Sequence, residues 1–151
     1  MAQYYLFKQN QTFEPETTSS VDGNVTLGDV VENRAFTMQA DGKVRYANTN
    51  EEILGEGQGT YRGGNVTIKV KAPWQFINGG STAIARGSKV IGHATTVDGN
   101  LVFGLVRGAT LPTGTADDAD WIQAVRGKGF VVNSVNTTSS TALATADVDV
   151  M

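Results

Sequence analysis

Apolar and polar side chains alternate most regularly in residues 65–71. Val66, Ile68 and Val70 occupy the even-numbered positions, and Asn, Thr or Lys occupies the odd-numbered ones. A repeat of two residues places successive side chains on opposite faces of a β-strand, so this pattern predicts a strand with one buried face. Residues 34–39 and 44–47 also read as two strands, because the Ala-Asp-Gly-Lys sequence between them favours a tight turn.

Residues 84–108 read as two longer strands around a Val-Asp-Gly-Asn turn at residues 97–100. Asp-Gly and Gly-Asn steps accept positive φ angles at little steric cost, which suits a hairpin turn. After the turn, both faces of the predicted strand carry apolar or small side chains. One face has Leu101, Phe103 and Leu105, and the other has Val102, Gly104 and Val106. We therefore predict that this strand is covered on both sides and lies at the centre of the core.

Glycine and repeated turns mark the remaining boundaries. A second Val-Asp-Gly-Asn occurs at residues 21–24 and leads into Val25-Thr26-Leu27-Gly28, so residues 21–28 read as a second turn-plus-strand unit. Whether the chain contains an internal duplication stays open. Residues 53–64 include five glycines but lack the Gly-Lys-Ser/Thr ending of a phosphate-binding loop. This segment is predicted to be a flexible surface loop.

One short helix is predicted near the C-terminal end. Asp118 suits the N-cap of a helical turn over residues 119–125, with Trp121, Ile122 and Val125 on its buried side. A further strand is expected at residues 130–135.

The two ends of the chain are less regular. Residues 3–8 resemble an aromatic strand that docks either on its own sheet or on a neighbouring subunit, and residues 9–20 read as an extended arm or loop. We divide the chain into an N-terminal strand and arm (1–20), a β-rich core domain (21–135) and a Ser/Thr-rich tail or edge strand (136–151).

Composition supports a β-rich fold of one domain. The 151 residues include 18 glycines and many Val and Thr residues, which suit turns and half-buried pleated surfaces. The predicted fold is all-β: an antiparallel β-sandwich or partly open barrel with long Gly-rich loops and at most one short helix.

The sequence offers little catalytic chemistry. It contains no Cys, which excludes thiolate chemistry. Its single histidine is His93, and a Ser-His-Asp triad would have to use it. Ser88, a candidate nucleophile, lies in no nucleophile-elbow motif. The net charge of −3 gives no field that would attract nucleic acid. We predict that the protein is not an enzyme and that it has no catalytic, cofactor-binding or metal-binding residues. Calcium binding by Asp117, Asp118 and Asp120 stays open, although their spacing differs from an EF-hand loop.

An aromatic cluster follows the regular strand, where Pro73 interrupts the ladder. Trp74 and Phe76 would pack in the core, or would stack on a ligand or contact another subunit. Our hypothesis for an intersubunit interface comprises five aromatic residues: Tyr4, Tyr5, Phe7, Trp74 and Phe76.

Three Gly-bounded apolar phrases give the chain a resemblance to a known group. They are Gly-Asp-Val-Val (28–31), Ala-Arg-Gly-Ser-Lys-Val-Ile-Gly (85–92) and Asn-Leu-Val-Phe-Gly-Leu-Val-Arg-Gly (100–108). With the cysteine-free, mildly acidic composition, residues 21–135 resemble the small capsid decoration, or cement, proteins of tailed bacteriophages. The resemblance implies a non-enzymatic β-rich protein that binds the outer capsid shell, often as a trimer, and strengthens it against the pressure of packaged DNA. It carries no site residue over to this chain.

The resemblance also implies the partners and the location. We expect the protein to bind the major capsid protein, to self-associate with a homotrimer as one candidate, and to bind neither nucleic acid specifically nor membranes. It would be made in the host cytoplasm and lie on the virion surface. The alternative is a carbohydrate-binding β-sandwich, or a tail-fibre or spike module, with Trp74, Trp121 and Tyr61 as sugar platforms. Exposed aromatic rings would favour the sugar-binding alternative.

Overall fold

The computed structural model describes residues 9–80, 82–110, 118–134 and 147–151. The strands in this part of the chain are β1 (Asn10–Phe13), β2 (Ala35–Met38), β3 (Val44–Tyr46), β4 (Gly55–Gly57), β5 (Val66–Lys69), β6 (Trp74–Ile77), β7 (Val90–Val97), β8 (Asn100–Gly108), β9 (Val131–Ser134) and β10 (Asp147–Val150). Its helix, α1, spans Asp118–Arg126. All strand pairs within the sheets are antiparallel, so the predicted all-β class is confirmed.

The strands form three sheets. Five strands pair in the order β1-β5-β4-β2-β3, three in the order β6-β10-β9, and β7 pairs with β8 as a hairpin. Neighbouring residues of a strand face opposite sides of its sheet, and Ala35 and Phe36 accordingly belong to different apolar clusters. The first cluster joins the five-stranded sheet to the three-stranded sheet and the base of the hairpin. The second lies on the other face, beneath Val25, Val31 and Tyr61.

Two predicted strand regions are confirmed. In β5, Val66 and Ile68 are buried and the residues between and after them are half-buried. β2 and β3 form the expected hairpin, with Gly42 in its turn at a φ of 86°. In both places the sequence carries a local signal, either strict alternation or an Asp-Gly turn, that needs no knowledge of distant contacts.

The β7–β8 hairpin forms as predicted, but its burial differs from the expectation. Asp98 and Gly99 have φ angles of 49° and 80°, the positive pair that a type I′ turn requires. Leu105 and Val106 are buried at the base, whereas Leu101 is 55% exposed near the tip. The prediction that both faces are covered is wrong for the outer half, because only the base contacts the two apolar clusters.

A buried polar network holds this hairpin against the five-stranded sheet. The Arg34 guanidinium lies 4.3 Å from the centre of the Tyr46 ring and donates a hydrogen bond to the carbonyl oxygen of Phe103. The Tyr46 hydroxyl donates to Asp29 over 3.0 Å. Burial raises the pKa of Tyr46 above its usual value, so this hydroxyl stays protonated as a donor.

The earlier Val-Asp-Gly-Asn copy behaves differently from the hairpin turn. Gly23 also adopts a positive φ, of 81°, but no strand forms at residues 25–28. The turn-plus-strand unit predicted there is therefore wrong, because Val25 enters the second apolar cluster from a loop rather than from a sheet.

The glycine-rich segment at residues 53–64 is the largest difference from the expected fold. Instead of a flexible loop, Gly55–Gly57 form β4, the central strand of the five-stranded sheet. A Cβ on Gly55 would lie 2.8 Å from Cγ2 of Ile68, and one on Gly57 would lie 2.7 Å from Cε2 of Phe36. Glycine is needed here for close packing, and the sequence signal for this is the same as that of a loop.

Both ends of the described chain are integrated into sheets. β1 pairs along β5, and the following residues continue beside β3, where the amide of Val44 donates to Glu14 over 3.0 Å. Residues 10–16 thus lie against the sheet rather than as a separate arm. β10 lies between β6 and β9, so the last strand is central and not an edge strand.

Candidate functional site

The helix α1 turns its apolar side chains outward. Trp121, Ile122 and Val125 are 58%, 42% and 80% exposed, whereas Gln123 is only 6% exposed. The predicted burial of the apolar side of this helix is therefore wrong. The Gln123 side-chain oxygen accepts the amide hydrogen of Thr110 over 3.1 Å, which seats the polar side of the helix on the protein. We call Trp121, Ile122 and Val125 the outward helix face.

Contacts at the C-terminal end of α1 fix its position. Arg126 donates to the backbone carbonyl of Asn50 over 3.1 Å, and Lys128 forms an ion pair with Glu52 at 2.6 Å. The backbone of Lys128 also exchanges two hydrogen bonds with Val90, at 2.8 and 2.9 Å. These contacts join the helix end to the hairpin base and leave the outward helix face without a covering element among the described residues.

More apolar surface is exposed on the outer side of the three-stranded sheet. Phe130, Val132 and Met151 are 61%, 43% and 61% exposed, while Val131 and Val150 face the core. Phe130 and Met151 lie side by side, because each donates its amide hydrogen to the other's carbonyl oxygen over 2.9 Å. We call Phe130, Val132 and Met151 the outer strip. Isolated exposed apolar residues are common, but several together mark a surface that suits a partner.

A groove of about 340 Å³ lies where the outer strip approaches the five-stranded sheet. Its lining includes Glu56, Lys69, Trp74, Asp149 and Met151. The lining thus includes two carboxylates and one lysine, but Glu56 is already engaged in structural hydrogen bonds.

Glu56 is a buried carboxylate that links the two larger sheets. One of its oxygens accepts the amide hydrogen of Gln75 over 2.7 Å, and the other accepts from the Gln58 side chain over 3.2 Å. Burial raises the pKa of Glu56, and these hydrogen bonds and the nearby Lys69 oppose that shift. Because Gln75 belongs to β6 and Glu56 to β4, this carboxylate acts as a structural link.

His93 lies in no arrangement typical of catalysis. It is half-buried in β7, and no hydrogen-bond partner is recorded for its buried Nδ1 among the described residues. Burial and then the positive charge of Arg107 lower its pKa, and no carboxylate contributes to that shift. A Ser-His-Asp site needs a carboxylate that orients the imidazole, and the described surroundings of His93 supply a cation instead.

Metal binding has no candidate in the part of the chain that the structure describes, since no three His, Asp or Glu side chains lie together there. The calcium question remains open. Asp117 lies outside the described residues, as do the side chains of Asp118 and Asp120.

The aromatic residues of the interface hypothesis divide into two groups. Trp74 and Phe76 are 8% and 0% exposed and belong to the first apolar cluster, with ring centres 5.6 Å apart. The core-packing alternative therefore describes these two. The other three, Tyr4, Tyr5 and Phe7, lie outside the described residues, and their contacts with another subunit stay a prediction.

The proposed sugar platforms are mostly covered. Trp74 and Tyr61 are both 8% exposed, so neither ring offers an open face to a sugar. Trp121 is exposed, but its neighbours on the helix are the aliphatic side chains of Ile122 and Val125. The criterion of exposed aromatic rings is thus met by one of the three residues.

Sequence reasoning missed the outward helix face as a surface. The spacing of its apolar residues correctly predicted a helix with one apolar side, but it gave no information on whether that side faces the core. The available signal was Gln123, a polar residue on the side of the helix opposite to the apolar residues, whose side-chain oxygen can accept a backbone N–H.

Comparisons with protein families, curated proteins and solved structures found no match to this chain. Within the described residues, no helix has the length and apolar character needed to cross a bilayer. The function must therefore be argued from the surfaces of the molecule itself.

Proposed function

We propose that this chain is a non-enzymatic structural protein that binds and stabilises the outer surface of a phage capsid shell. The observation that carries the proposal is the outward helix face: Trp121, Ile122 and Val125 are exposed on a helix whose position is fixed by contacts on its other side. Apolar and aromatic side chains held on a rigid element suit a protein partner, because clustered exposed apolar side chains mark interaction surfaces and Trp is enriched among the residues that dominate interface binding energy. The major capsid protein is the proposed partner.

Self-association on the shell is part of the proposal, with a homotrimer as one candidate. The outer strip adds exposed apolar surface close to the end of α1, and a compact domain of this size has enough area for more than one contact. The proposal involves neither specific nucleic-acid binding nor membranes, and it places the protein on the virion surface after synthesis in the host cytoplasm.

The test measures binding to undecorated tailed-phage capsid shells. Light scattering gives the mass of the protein alone, and sedimentation with shells gives the bound number per shell. We expect saturation at a fixed stoichiometry and a higher disruption temperature for decorated shells. A protein that stays unbound at all concentrations would refute the capsid proposal and make glycan binding the next screen.

A variant and a matched control locate the contact. Val125→Asp introduces a charge into the outward helix face and should weaken shell binding by about tenfold or more, as expected for loss of about 1.4 kcal/mol. Leu101→Asp makes the same change at the exposed hairpin tip and should bind as the wild type does. If both variants bind normally, the outward helix face is not the contact.

A further inference from the structure

The strands fall into two consecutive sets with the same order of pairing. β1–β5 form the five-stranded sheet, in the order β1-β5-β4-β2-β3. In the second set, β6 pairs with β10, β10 with β9, and β7 with β8. The chain leading into β9 joins the start of β7 through the antiparallel bridge between Val90 and Lys128 and a hydrogen bond from Val131 to Ser88. The second set therefore follows the order β6-β10-β9-β7-β8, which repeats the first order strand for strand.

Finer contacts of the two sets also correspond. Phe13 in the first strand of one set lies opposite Val66 in its fifth strand. Phe76 lies opposite Val148 at the equivalent place in the other set. Two residues after each phenylalanine, the chain makes a parallel bridge with the third strand of its own set. We call β1–β5 the first unit and β6–β10 the second unit.

The two Val-Asp-Gly-Asn sequences do not mark this correspondence. Residues 97–100 form the turn between the second and third strands of the second unit, and residues 40–43 are at the equivalent place in the first unit. Residues 21–24 instead lie between the first and second strands of the first unit. The strand order thus repeats although these sequence copies occupy different places in it.

The connection between the third and fourth strands differs between the two units. In the first unit, residues 47–54 make this connection and contribute Ala47 and Ile53 to the first apolar cluster. In the second unit, the longer run 109–130 makes it and carries α1. None of the described residues in 110–126 belongs to either apolar cluster. We call residues 110–126 the helical insertion; the structure describes residue 110 and residues 118–126 of it.

The helical insertion leaves and rejoins the second unit at one place. A Cβ built on Gly127 would lie 3.1 Å from the Cβ of Ala109. Ala109 donates its amide hydrogen to Lys89 over 2.9 Å, and Lys128 pairs with the next residue, Val90. Both ends are therefore held by the start of β7, so the second unit keeps its strand pairing on either side of the insertion.

We propose that the helical insertion is a recognition element that binds the partner and can be removed without loss of the fold. The outward helix face supplies the binding side chains, because Trp121, Ile122 and Val125 are exposed and belong to neither apolar cluster. The first unit has the same strand order with no helix at the equivalent connection, so this strand order does not require one. The identity of the partner, the major capsid protein, rests on the proposed function.

The test replaces residues 110–126 with a Gly-Ser linker of about four residues, which can span about 13 Å when extended. Circular dichroism should show a cooperative thermal transition with a midpoint within about 5 °C of the wild type. Binding to undecorated tailed-phage shells should fall at least about tenfold. The matched control puts the same linker in place of residues 47–54. It should show no cooperative transition, because that connection supplies Ala47 and Ile53 to the core.

Three outcomes would overturn this inference while leaving the proposed function in place. The excised protein would be unfolded, or it would bind shells as the wild type does, or the two excised proteins would have equal midpoints. A second linker of about eight residues separates strain at the join from loss of the fold: if both linkers give an unfolded protein, the insertion is part of the fold. Wild-type protein that binds no shell would instead refute the proposed function, and the recognition role would fall with it.

Discussion

Gly104 offers the sharpest test of how the hairpin is held on the sheet. Its φ of 77° lies in the left-handed region that disfavours residues with a Cβ. A Cβ built on it would lie 2.9 Å from Cδ1 of Tyr46 and 3.1 Å from Nε of Arg34. Both neighbours belong to the buried network that binds the carbonyl of Phe103, so neither can move away without breaking that network.

These two features add separate costs for Gly104→Ala. The left-handed conformation costs a residue with a Cβ about 1–2 kcal/mol, and forcing an additional carbon into a packed site costs about 1–3 kcal/mol. We expect a total loss of about 2–5 kcal/mol. This is a large part of the 5–15 kcal/mol or so that stabilises a typical domain.

Gly99→Ala is the matched control because Gly99 lies on the same hairpin with a φ of 80° and has no atom within 4 Å of its Cβ position. It should lose only the conformational part, about 1–2 kcal/mol. The assay is urea unfolding followed by tryptophan fluorescence, with buried Trp74 as the main reporter. Equal losses in the two variants would refute the view that the hairpin is held by close contact at Gly104.

Three further predictions concern the interior. Gly57→Ala, in the central strand β4, should unfold the protein or lower its free energy of unfolding by about 3 kcal/mol or more in the same assay. The added Cβ would lie 2.7 Å from Cε2 of Phe36 on the neighbouring strand. Burial raises the pKa of Glu56, so wild-type stability should fall as pH rises through that pKa, and Glu56→Gln should remove this fall in urea titrations across pH. Burial lowers the pKa of His93, so its contribution should be lost as pH falls below the ordinary histidine range, and His93→Gln should lack this acid-side loss.

The parts of the fold that sequence could predict are those with local causes. The alternation in β5 and the Asp-Gly turn at residues 98–99 follow from strand geometry and from the tolerance of these residues for positive φ. β4 could not be predicted in this way. Its glycines are placed by contacts with Ile68 and Phe36, and those contacts exist only once the sheet has formed.

The candidate surfaces show the same limit. Sequence identified Trp74 and Phe76 as a cluster, but the choice between core and interface depended on the three-stranded sheet that buries them. The groove depends on residues from β5, β6 and β10, which lie far apart in the sequence. No local sequence pattern could have predicted that Lys69 and Met151 line the same groove.

The orientation of α1 distinguishes two explanations for its exposed apolar side chains: a surface for a partner, or a helix that has failed to pack. If the helix had only failed to pack, its polar side would face solvent as well, and no specific contact would hold it. Instead, Gln123 is 6% exposed and satisfies the amide of Thr110, and Arg126 binds the carbonyl of Asn50. Rotating the helix to bury Trp121 would break these hydrogen bonds, each of which typically contributes about 0.5–1.5 kcal/mol. The polar contacts therefore select the orientation in which the apolar side faces outward, which is the arrangement that a partner-binding surface requires.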